Sequence, residues 1–527
     1  MTHESRTVLS RILALARIFA IGVIGALGAM AASSPAPLLA QPSEAFDRLV
    51  KLPTGVGDAS FFGEVIVKGD ADGDGRDDVA ISGRINSGSG DRGQVRILRG
   101  AANHGIVVDA LLIGSILELA GTALAFGDFD DDGKDELAIG RPRRNAAGET
   151  AAGDVGIRRR LPDGSWPEIG NWNQESPDIS GVPEAEDLFG SALAVGDFDD
   201  DGVDDLAIGV PGEAVGATAA AGAVQILYGV AGQGLQATGN QLFHQDSTDI
   251  PGGAETGDRF GSVLAAGDVT CDGIDDLVVG TPDEDFGATI DVGTVTVLPG
   301  SMSLGIDPSG AFQLEQQDFG GAAEATDRFG SAIVVGRMSS LLSSCKTLFI
   351  GAPGEDVGDV AAAGALFWYR DGATGYWTES DLGHVEGAQE RFGTALAIGD
   401  FDGNGLNDLA IGVPNQDYAA GPASGGVRIV TQHIAGILIP NGAATVRIEA
   451  GVEAYDTRVS GEFMDYFGAA LAAPDLDDDG LADLVVGMPL SDLDGDTLSG
   501  GAQVFFSALF AEDFEGDDFE EWSAVEN

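Results

Sequence analysis

The chain has 527 residues, and its 85 Asp and Glu outnumber its 27 Lys and Arg, so the formal net charge is −58. This balance excludes a basic nucleic-acid-binding surface, because phosphate contacts need clustered Lys and Arg. It also argues against binding to an anionic membrane surface, which would repel the chain. Hydrophobic residues make up 44% of the chain, which excludes wholesale disorder.

The first forty residues have the order of a secretory signal peptide. Arg6, Arg11 and Arg17 precede the apolar run 18–32, and small residues then lead to Ala40. An uncleaved membrane anchor is the alternative, although fifteen apolar residues are short for a bilayer span. We therefore expect residues 1–40 to be removed and the mature chain, without a transmembrane segment, to be secreted or held at the cell surface, or to remain in a periplasm.

A nine-residue acidic loop between two apolar runs recurs six times along the chain. The copies occupy residues 70–78, 128–136, 197–205, 268–276, 400–408 and 475–483. The fourth and fifth copies begin 132 residues apart, about twice the other intervals. A degenerate copy fills that gap, because Phe329-Gly330 begins another unit in which Arg337 replaces the first Asp. The chain therefore contains seven units.

Each unit also carries short apolar runs rich in β-branched residues and bounded by Gly, Pro and Asp, which is typical of strands. A Phe-Gly pair lies eight residues before the first acid in six units. These phenylalanines are Phe62, Phe189, Phe260, Phe329, Phe392 and Phe467. Four short strands per unit, repeated seven times, predict an all-β chain folded as a seven-bladed β-propeller.

The Phe-Gly pair, the Asp-x-Asp-x-Asp-Gly-x-x-Asp loop and the Gly-x-Pro that follows it resemble the FG-GAP repeats of the integrin α-chain N-terminal propeller. The resemblance implies that each repeat makes one blade and that the acidic loop joins its first two strands. We expect the propeller over residues 41–510 and an acidic tail over residues 511–527.

The loop composition suits Ca²⁺, which takes six to eight oxygen ligands on a tight loop. Positions 1, 3, 5 and 9 offer side-chain oxygens, position 7 offers its carbonyl, and glycine at position 6 permits the turn. The candidate ligands are Asp70, Asp72, Asp74, Arg76, Asp78; Asp128, Asp130, Asp132, Lys134, Glu136; Asp197, Asp199, Asp201, Val203, Asp205; Asp268, Thr270, Asp272, Ile274, Asp276; Asp400, Asp402, Asn404, Leu406, Asp408; and Asp475, Asp477, Asp479, Leu481, Asp483. The sequence thus predicts up to six calcium sites, with Thr270 and Asn404 weakening two of them.

An acidic loop of this kind has two alternatives to an FG-GAP calcium site, an EF-hand and a solvated turn. An EF-hand needs a bidentate Glu at position 12, but that position holds only Ile or Val. These residues are Ile81, Ile139, Ile208, Val279, Ile411 and Val486. A merely solvated turn remains the alternative for any one loop, but packing several carboxylates at the same offsets six times is repulsive without a cation.

Two long-range contacts are also expected. The seventh unit lacks a fourth strand after residues 501–506, and residues 46–52 form an unpaired strand-like segment, so we expect this segment to close the ring. Cys271 and Cys345 are the two cysteines. They fall in acidic-loop positions of adjacent units, and export permits oxidation, so we expect a disulfide, with two unpaired thiols as the alternative.

The resemblance favours a non-enzymatic role as a protein- or glycan-binding adhesion module of unidentified ligand. The alternative is an exported glycoside or phosphoester hydrolase that uses the propeller as a scaffold. The sequence contains neither a His-Glu-x-x-His pair nor a Gly-x-Ser-x-Gly motif, which weighs against that alternative.

Overall fold

A computed structural model describes part of the chain. The described residues are 48–50, 58–86, 91–102, 105–116, 119–302, 304–338, 345–416, 425–431, 445–449, 466–490 and 500–506. The expected signal peptide (1–40) and acidic tail (511–527) lie outside them. In these residues no helix is both long and apolar enough to span a membrane.

Seven antiparallel sheets form the blades of a β-propeller, as predicted. In blades 1 to 6 the strands pair in sequence order from the first to the fourth, whereas the fourth strand of blade 7 comes from the other end of the described chain. The first strand of each blade contacts the first strand of the next, and that of blade 7 contacts that of blade 1. The first strands therefore form the inner ring, and the fourth strands lie at the outer edge.

The strands of the first four blades follow, from the first strand to the fourth. Blade 1 contains Ile66–Gly69, Asp78–Asn86, Asp91–Ala101 and Gly105–Ile116. Blade 2 contains Leu124–Gly127, Glu136–Arg141, Asp154–Arg158 and Glu168–Trp172. Blade 3 contains Leu193–Gly196, Asp205–Val210, Ala223–Tyr228 and Gln236–Phe243. Blade 4 contains Val263–Gly267, Asp276–Thr281, Thr294–Leu298 and Phe312–Leu314, with a small ribbon of Gly300–Ser301 and Gly305–Ile306.

The remaining blades have the same order. Blade 5 contains Ala332–Gly336, Thr347–Ala352, Ala365–Arg370 and Ala373–Trp377. Blade 6 contains Leu396–Gly399, Asp408–Val413, Gly426–Val430 and Thr445–Glu449. Blade 7 contains Ala470–Ala472, Leu484–Met488, Gly501–Phe505 and Arg48–Val50. Short 3₁₀ helices cover Pro308–Gly310, Gln316–Phe319 and Glu379–Leu382.

Blade 1 departs from the four-stranded expectation. Its second strand, Asp78–Asn86, is nine residues long. The beginning of this strand pairs with Ile66–Gly69, and its end pairs with an additional strand, Asp58–Ser60. The extra length of the second strand therefore leaves room for a fifth strand in this sheet.

The two ends of the described chain meet in blade 7. Arg48–Val50, which lies within the segment expected to close the ring, pairs antiparallel with Gly501–Phe505. Phe62 then forms a parallel bridge with Gly500. This pairing covers the outer edge of a third strand that would otherwise expose unpaired backbone groups.

The hydrophobic core is divided among the blade junctions. In the described residues, each pair of adjacent blades shares one buried apolar cluster. The phenylalanines of the six Phe-Gly pairs are almost fully buried there. The following glycine takes a left-handed conformation, as at Gly190 with φ of 88°, where a Cβ would lie 2.8 Å from the Asp154 carbonyl oxygen. The repeated Phe-Gly pair is thus a packing element between blades.

Candidate metal centres

All six acidic loops connect the first and second strands of their blades. Position 1 follows the first strand, and position 9 lies at the start of the second, as Asp197 and Asp205 do in blade 3. Because the two strands are paired neighbours, the hairpin brings these positions close together in space. Antiparallel connection also places all the loops on one face of the propeller, which we call the loop face.

The carboxylate at position 1 organises the turn of the loop. In blade 3, the backbone N–H groups of Asp201 and Gly202 donate to the Asp197 carboxylate at 3.1 and 2.9 Å. Gly202 has a φ of 88°, and no atom lies within 4 Å of a Cβ built there. Position 6 therefore favours glycine because its backbone is left-handed, and not because a side chain would clash with neighbouring atoms.

The carboxylate at position 9 is buried beneath the loop. Asp205 accepts hydrogen bonds from the backbone N–H groups of Phe198 and Gly229, both at 2.9 Å. Burial, together with the charges of the neighbouring Asp199 and Asp197, raises the pKa of Asp205 to about 8, although those two hydrogen bonds lower it. In blade 1, burial likewise raises the pKa of Asp78 to about 8. An ionised carboxylate in this position needs a compensating positive charge.

Five of the six loops bring three carboxylates together. In each group the ligand atoms lie within 4.8 Å of one another. The groups are Asp70, Asp72 and Asp78; Asp128, Asp130 and Glu136; Asp197, Asp199 and Asp205; Asp400, Asp402 and Asp408; and Asp475, Asp477 and Asp479. Four groups therefore combine positions 1, 3 and 9, whereas the blade 7 loop combines positions 1, 3 and 5.

Position 5 has a different role in most loops. Its side chain accepts a hydrogen bond from the backbone N–H of position 7, which tightens the turn. These pairs are Asp74 with Arg76, Asp201 with Val203, Asp272 with Ile274, Asn404 with Leu406, and Asp479 with Leu481. Asp132 and Lys134 occupy the corresponding positions in the blade 2 loop.

The donor set fits a hard cation. The Oδ1 atoms of Asp72, Asp130 and Asp199 are buried and have no hydrogen-bond partner in the described part of the chain. Buried polar atoms are normally paired, and clustered carboxylate oxygens are the ligands that calcium prefers. A bound divalent cation would offset most of the negative charge of a cluster and give these oxygens a partner.

Arginine side chains reach two of the clusters. The Arg99 Nη1 atom lies 2.9 Å from Asp72 in the blade 1 loop. In the blade 2 loop, Arg159 contacts both Asp130 and Glu136, the latter at 2.7 Å from its Nε. No such ion pair reaches the blade 3 loop within the described ranges. The blade 3 cluster therefore lacks the internal cation that the blade 1 and blade 2 clusters have in the described structure.

The blade 4 loop does not assemble three carboxylates. Thr270 stands at position 3, and its backbone N–H and Oγ1 donate to Asp276 at 2.7 and 3.2 Å. The neighbouring residue, Cys271, forms a disulfide with Cys345 of the blade 5 loop, with 4.5 Å between the Cα atoms. The Lys346 ammonium also contacts Asp275 at 2.6 Å. A covalent bond and an internal cation thus connect these two loops.

Sequence reasoning missed the role of position 8. In blade 2, the Asp135 carboxylate accepts the Asp70 N–H of blade 1 at 2.8 Å, and the Asp135 N–H donates to the Asp70 carbonyl at 3.0 Å. Further contacts of this kind join Asp204 to Asp128 and Asp77 to Asp475. The acids at positions 8 and 9 of the first four loops were the available signal. Position 8 links the loops of blades 1, 2 and 3 to the preceding blade in the ring, whereas Asp275 of the blade 4 loop contacts Lys346 of the following blade.

Comparisons with known proteins agree with this architecture. The FG-GAP repeat family model matches residues 120–157, 189–227, 260–298 and 392–430. The chain is 29% identical over 245 residues to integrin alpha pat-2 of Caenorhabditis briggsae, covering 44% of this chain and 18% of that protein. It is 25% identical over 405 residues to the phosphatidylinositol-glycan-specific phospholipase D of Bos taurus, covering 70% and 43%. The chain therefore spans less than half the length of these two curated relatives.

A solved structure with some similarity is that of the rhamnogalacturonan lyase YesW. It matches with a TM-score of 0.40 and 11% sequence identity over 88% of this chain and 76% of that chain. A similarity at this level does not bear on function.

Proposed function

Since the chain is built from FG-GAP repeats, we propose that it is an exported calcium-binding β-propeller that recognises a protein or glycan ligand. The observation that carries the calcium part is the blade 3 cluster, in which Asp197, Asp199 and Asp205 converge and the buried Asp199 Oδ1 has no partner. In this role the ions offset the charge of the five carboxylate groups and hold the first two strands of those blades together.

The ligand-binding part is supported by the opposite face, which carries the connections from the second to the third strand and from one blade to the next. We call it the junction face. Val182 and Val385, in two connections between blades, are 69% and 86% exposed. Phe286 and Ile290 are also exposed in the connection between the second and third strands of blade 4. Apolar side chains displayed beyond the blades offer contact area to a macromolecular ligand.

The calcium proposal is tested by thermal unfolding of the purified mature protein after chelation. Binding to the folded state alone raises the unfolding midpoint as the ligand concentration rises. We expect the midpoint to increase across millimolar Ca²⁺ and not across the same ionic strength of NaCl. An unchanged midpoint would reject the proposal.

The ligand proposal is tested on glycan arrays and on extracellular-protein panels in the presence of Ca²⁺. The variant Val182→Ser/Val385→Ser should lose binding to each ligand found. The matched control Val107→Ser/Val108→Ser changes two exposed valines on the fourth strand of blade 1 and should bind normally. Equal binding by both variants would contradict recognition by the junction face, and turnover of a panel substrate would favour the hydrolase alternative.

Export is tested separately by expressing the full chain and sequencing the N-terminus of the recovered protein. Cleavage after Ala40 would leave Gln41 as the first residue. Recovery of an intact N-terminus from the cell interior would contradict export without affecting the calcium proposal.

A further inference from the structure

The junction face carries a second set of buried and half-buried acidic groups, separate from the acidic loops. Each group combines a residue after the fourth strand of one blade with two residues of the next blade. The residue after the fourth strand is a glutamine. In the next blade, an aspartate lies three positions before the glycine of the Phe-Gly pair, and a glutamate follows the second strand. The groups are Gln174, Asp187 and Glu213; Gln245, Asp258 and Glu284; and Gln316, Asp327 and Glu355. We call them junction clusters 2/3, 3/4 and 4/5 after the blades that they join.

The three junction clusters have the same internal hydrogen bonds. In each cluster, the glutamine Nε2 donates to the glutamate, at 2.5 Å in cluster 2/3 and 2.6 Å in cluster 3/4. The corresponding distance from Gln316 to Glu355 is 2.5 Å. The aspartate accepts a backbone N–H from three residues earlier, as Asp187 does from Glu184 at 2.5 Å. The clusters thus place two carboxyl groups and one amide together with few donors.

Each cluster also contains an orphaned oxygen. The Oε1 atoms of Gln174, Gln245 and Gln316 are buried and have no hydrogen-bond partner in the described part of the chain. These glutamines are 5%, 2% and 0% exposed. In cluster 2/3 the buried Asp187 Oδ1 also has no partner. The same position in three repeats therefore has an amide oxygen without a donor beside two carboxyl groups.

The junction between blades 5 and 6 shows what such a group accommodates. Glu379, Glu390 and Gln416 occupy the three corresponding positions there. The fully buried guanidinium of Arg428, on the third strand of blade 6, lies 2.7 Å from Glu379 and also contacts Gln416. A cation built into the chain thus sits among the acceptors at this junction.

Junction clusters 2/3, 3/4 and 4/5 have no positively charged residue at the strand position that corresponds to Arg428. Arg428 pairs across the sheet with Ile411, and the equivalent pairs are Ile208 with Gln225, Val279 with Thr296, and Ile350 with Phe367. We propose that junction clusters 2/3, 3/4 and 4/5 bind inorganic cations such as Ca²⁺ from solution, in the role that Arg428 fills between blades 5 and 6.

The surroundings of cluster 3/4 offer a route for the ion. Glu284 lines a solvent-open cleft of about 390 Å³, together with Asp246, Glu255 and Gln313. Burial also raises the pKa values of Glu213 and Glu284 to about 7 and that of Glu355 to about 8. Charging these groups at neutral pH is therefore costly unless a cation accompanies them.

The proposal is tested by counting bound Ca²⁺ in the mature protein by native mass spectrometry and by elemental analysis after equilibrium dialysis. The triple variant Glu213→Gln/Glu284→Gln/Glu355→Gln should bind three fewer ions than the parent protein. The control Glu175→Gln/Asp249→Asn/Glu324→Gln removes three exposed acids at the same junctions and should bind the full number. An equal number of bound ions in the triple variant and the parent would overturn the proposal. It would indicate that the carboxyl groups of these clusters are neutralised by protonation.

A second variant keeps the test decisive if the triple variant does not fold. Thr296→Arg adds a guanidinium at the Arg428 register of cluster 3/4 while retaining every carboxyl group, and it should bind one ion fewer. An unchanged count in a folded Thr296→Arg protein would equally overturn the proposal. Asp199→Asn in the blade 3 loop reports on the loop sites independently, so failure of the junction clusters is distinguishable from failure of the calcium loops.

Discussion

Blades 3 and 4 have the same loop framework but compensate its charge in different ways. In blade 3, Asp199 completes a group of three carboxylates that has no internal cation in the described structure. In blade 4, Thr270 replaces that acid, and the loop is instead tied to blade 5 by the disulfide and by Lys346. The identity of position 3 therefore separates a loop that needs an external ion from a loop held by its own chain.

The largest effect is expected from breaking the covalent tie. The double variant Cys271→Ser/Cys345→Ser opens a loop of 74 residues in sequence and should lower the free energy of unfolding by about 4 kcal/mol by the loop-entropy model. Denaturant unfolding with and without Ca²⁺ measures it. The loss should be the same in both conditions, and a loss confined to chelated protein would show that the disulfide and the ions are not independent.

Removing the external ion from blade 3 should have the next largest effect. Asp199→Asn should abolish about 2.7 kcal/mol of stabilisation when Ca²⁺ is at a hundred times its Kd, and it should change little in chelator. Calorimetry at matched Ca²⁺ concentrations gives the difference. Asp272→Asn, which removes an exposed acid from the blade 4 loop, is the matched control and should leave the calcium dependence intact.

The two loops should also differ in their pH dependence without Ca²⁺. Burial raises the pKa of Asp205 to about 8 but that of Asp276 only to about 6, from an ordinary value of 3.8. Because the folded protein retains these protons longer than the unfolded chain does, their contribution to stability is complete below pH 3.8 and is lost as pH rises through the folded pKa.

Of the two loops, the blade 3 loop should therefore lose stability between pH 6 and 8, and Asp205 should contribute about 2 kcal/mol of that loss. Chemical unfolding of chelated protein across this range should show a flatter slope for Asp205→Asn than for the parent. Asp276→Asn should keep the parental slope between pH 6 and 8. Equal slopes in both variants would contradict the difference in burial chemistry between the two loops.

The smallest effect is expected from converting the blade 4 loop. Thr270→Asp places a carboxylate beside Asp268, whose Oδ1 is buried and unpartnered in the described structure, and beside Asp276. The variant should gain one bound Ca²⁺, worth about 1.4 kcal/mol at ten times its Kd. Native mass spectrometry counts the ion. Thr270→Asn has the same shape without the charge, and a gain of an ion in that variant would refute the explanation.

Much of the fold follows from local patterns that repeat along the chain. The Phe-Gly pair, the acidic loop and the β-branched runs recur at fixed offsets, so the number of blades and the place of each loop could be predicted. The pairing of Arg48–Val50 with Gly501–Phe505 could also be predicted, because the seventh unit lacks a fourth strand and the N-terminal segment 46–52 is an additional strand-like run.

The details of the sites depended on contacts between residues distant in sequence. Positions 5 and 9 were both expected to bind the ion. In most loops, however, the side chain at position 5 accepts a hydrogen bond from the backbone of the turn, as Asp201 does from Val203. The guanidinium of Arg159, the residue after the third strand, reaches the blade 2 cluster, and no spacing within the loop indicates it.

The sequence by itself determined the repeat, the strand order and the chemistry offered by each loop, because these properties depend on residues within one unit. Only the tertiary structure decided which carboxylates converge, which are neutralised by arginine or lysine, and which glutamines face buried acids across a junction. These outcomes arise where two blades meet, because the partners there come from different repeats and are distant in sequence.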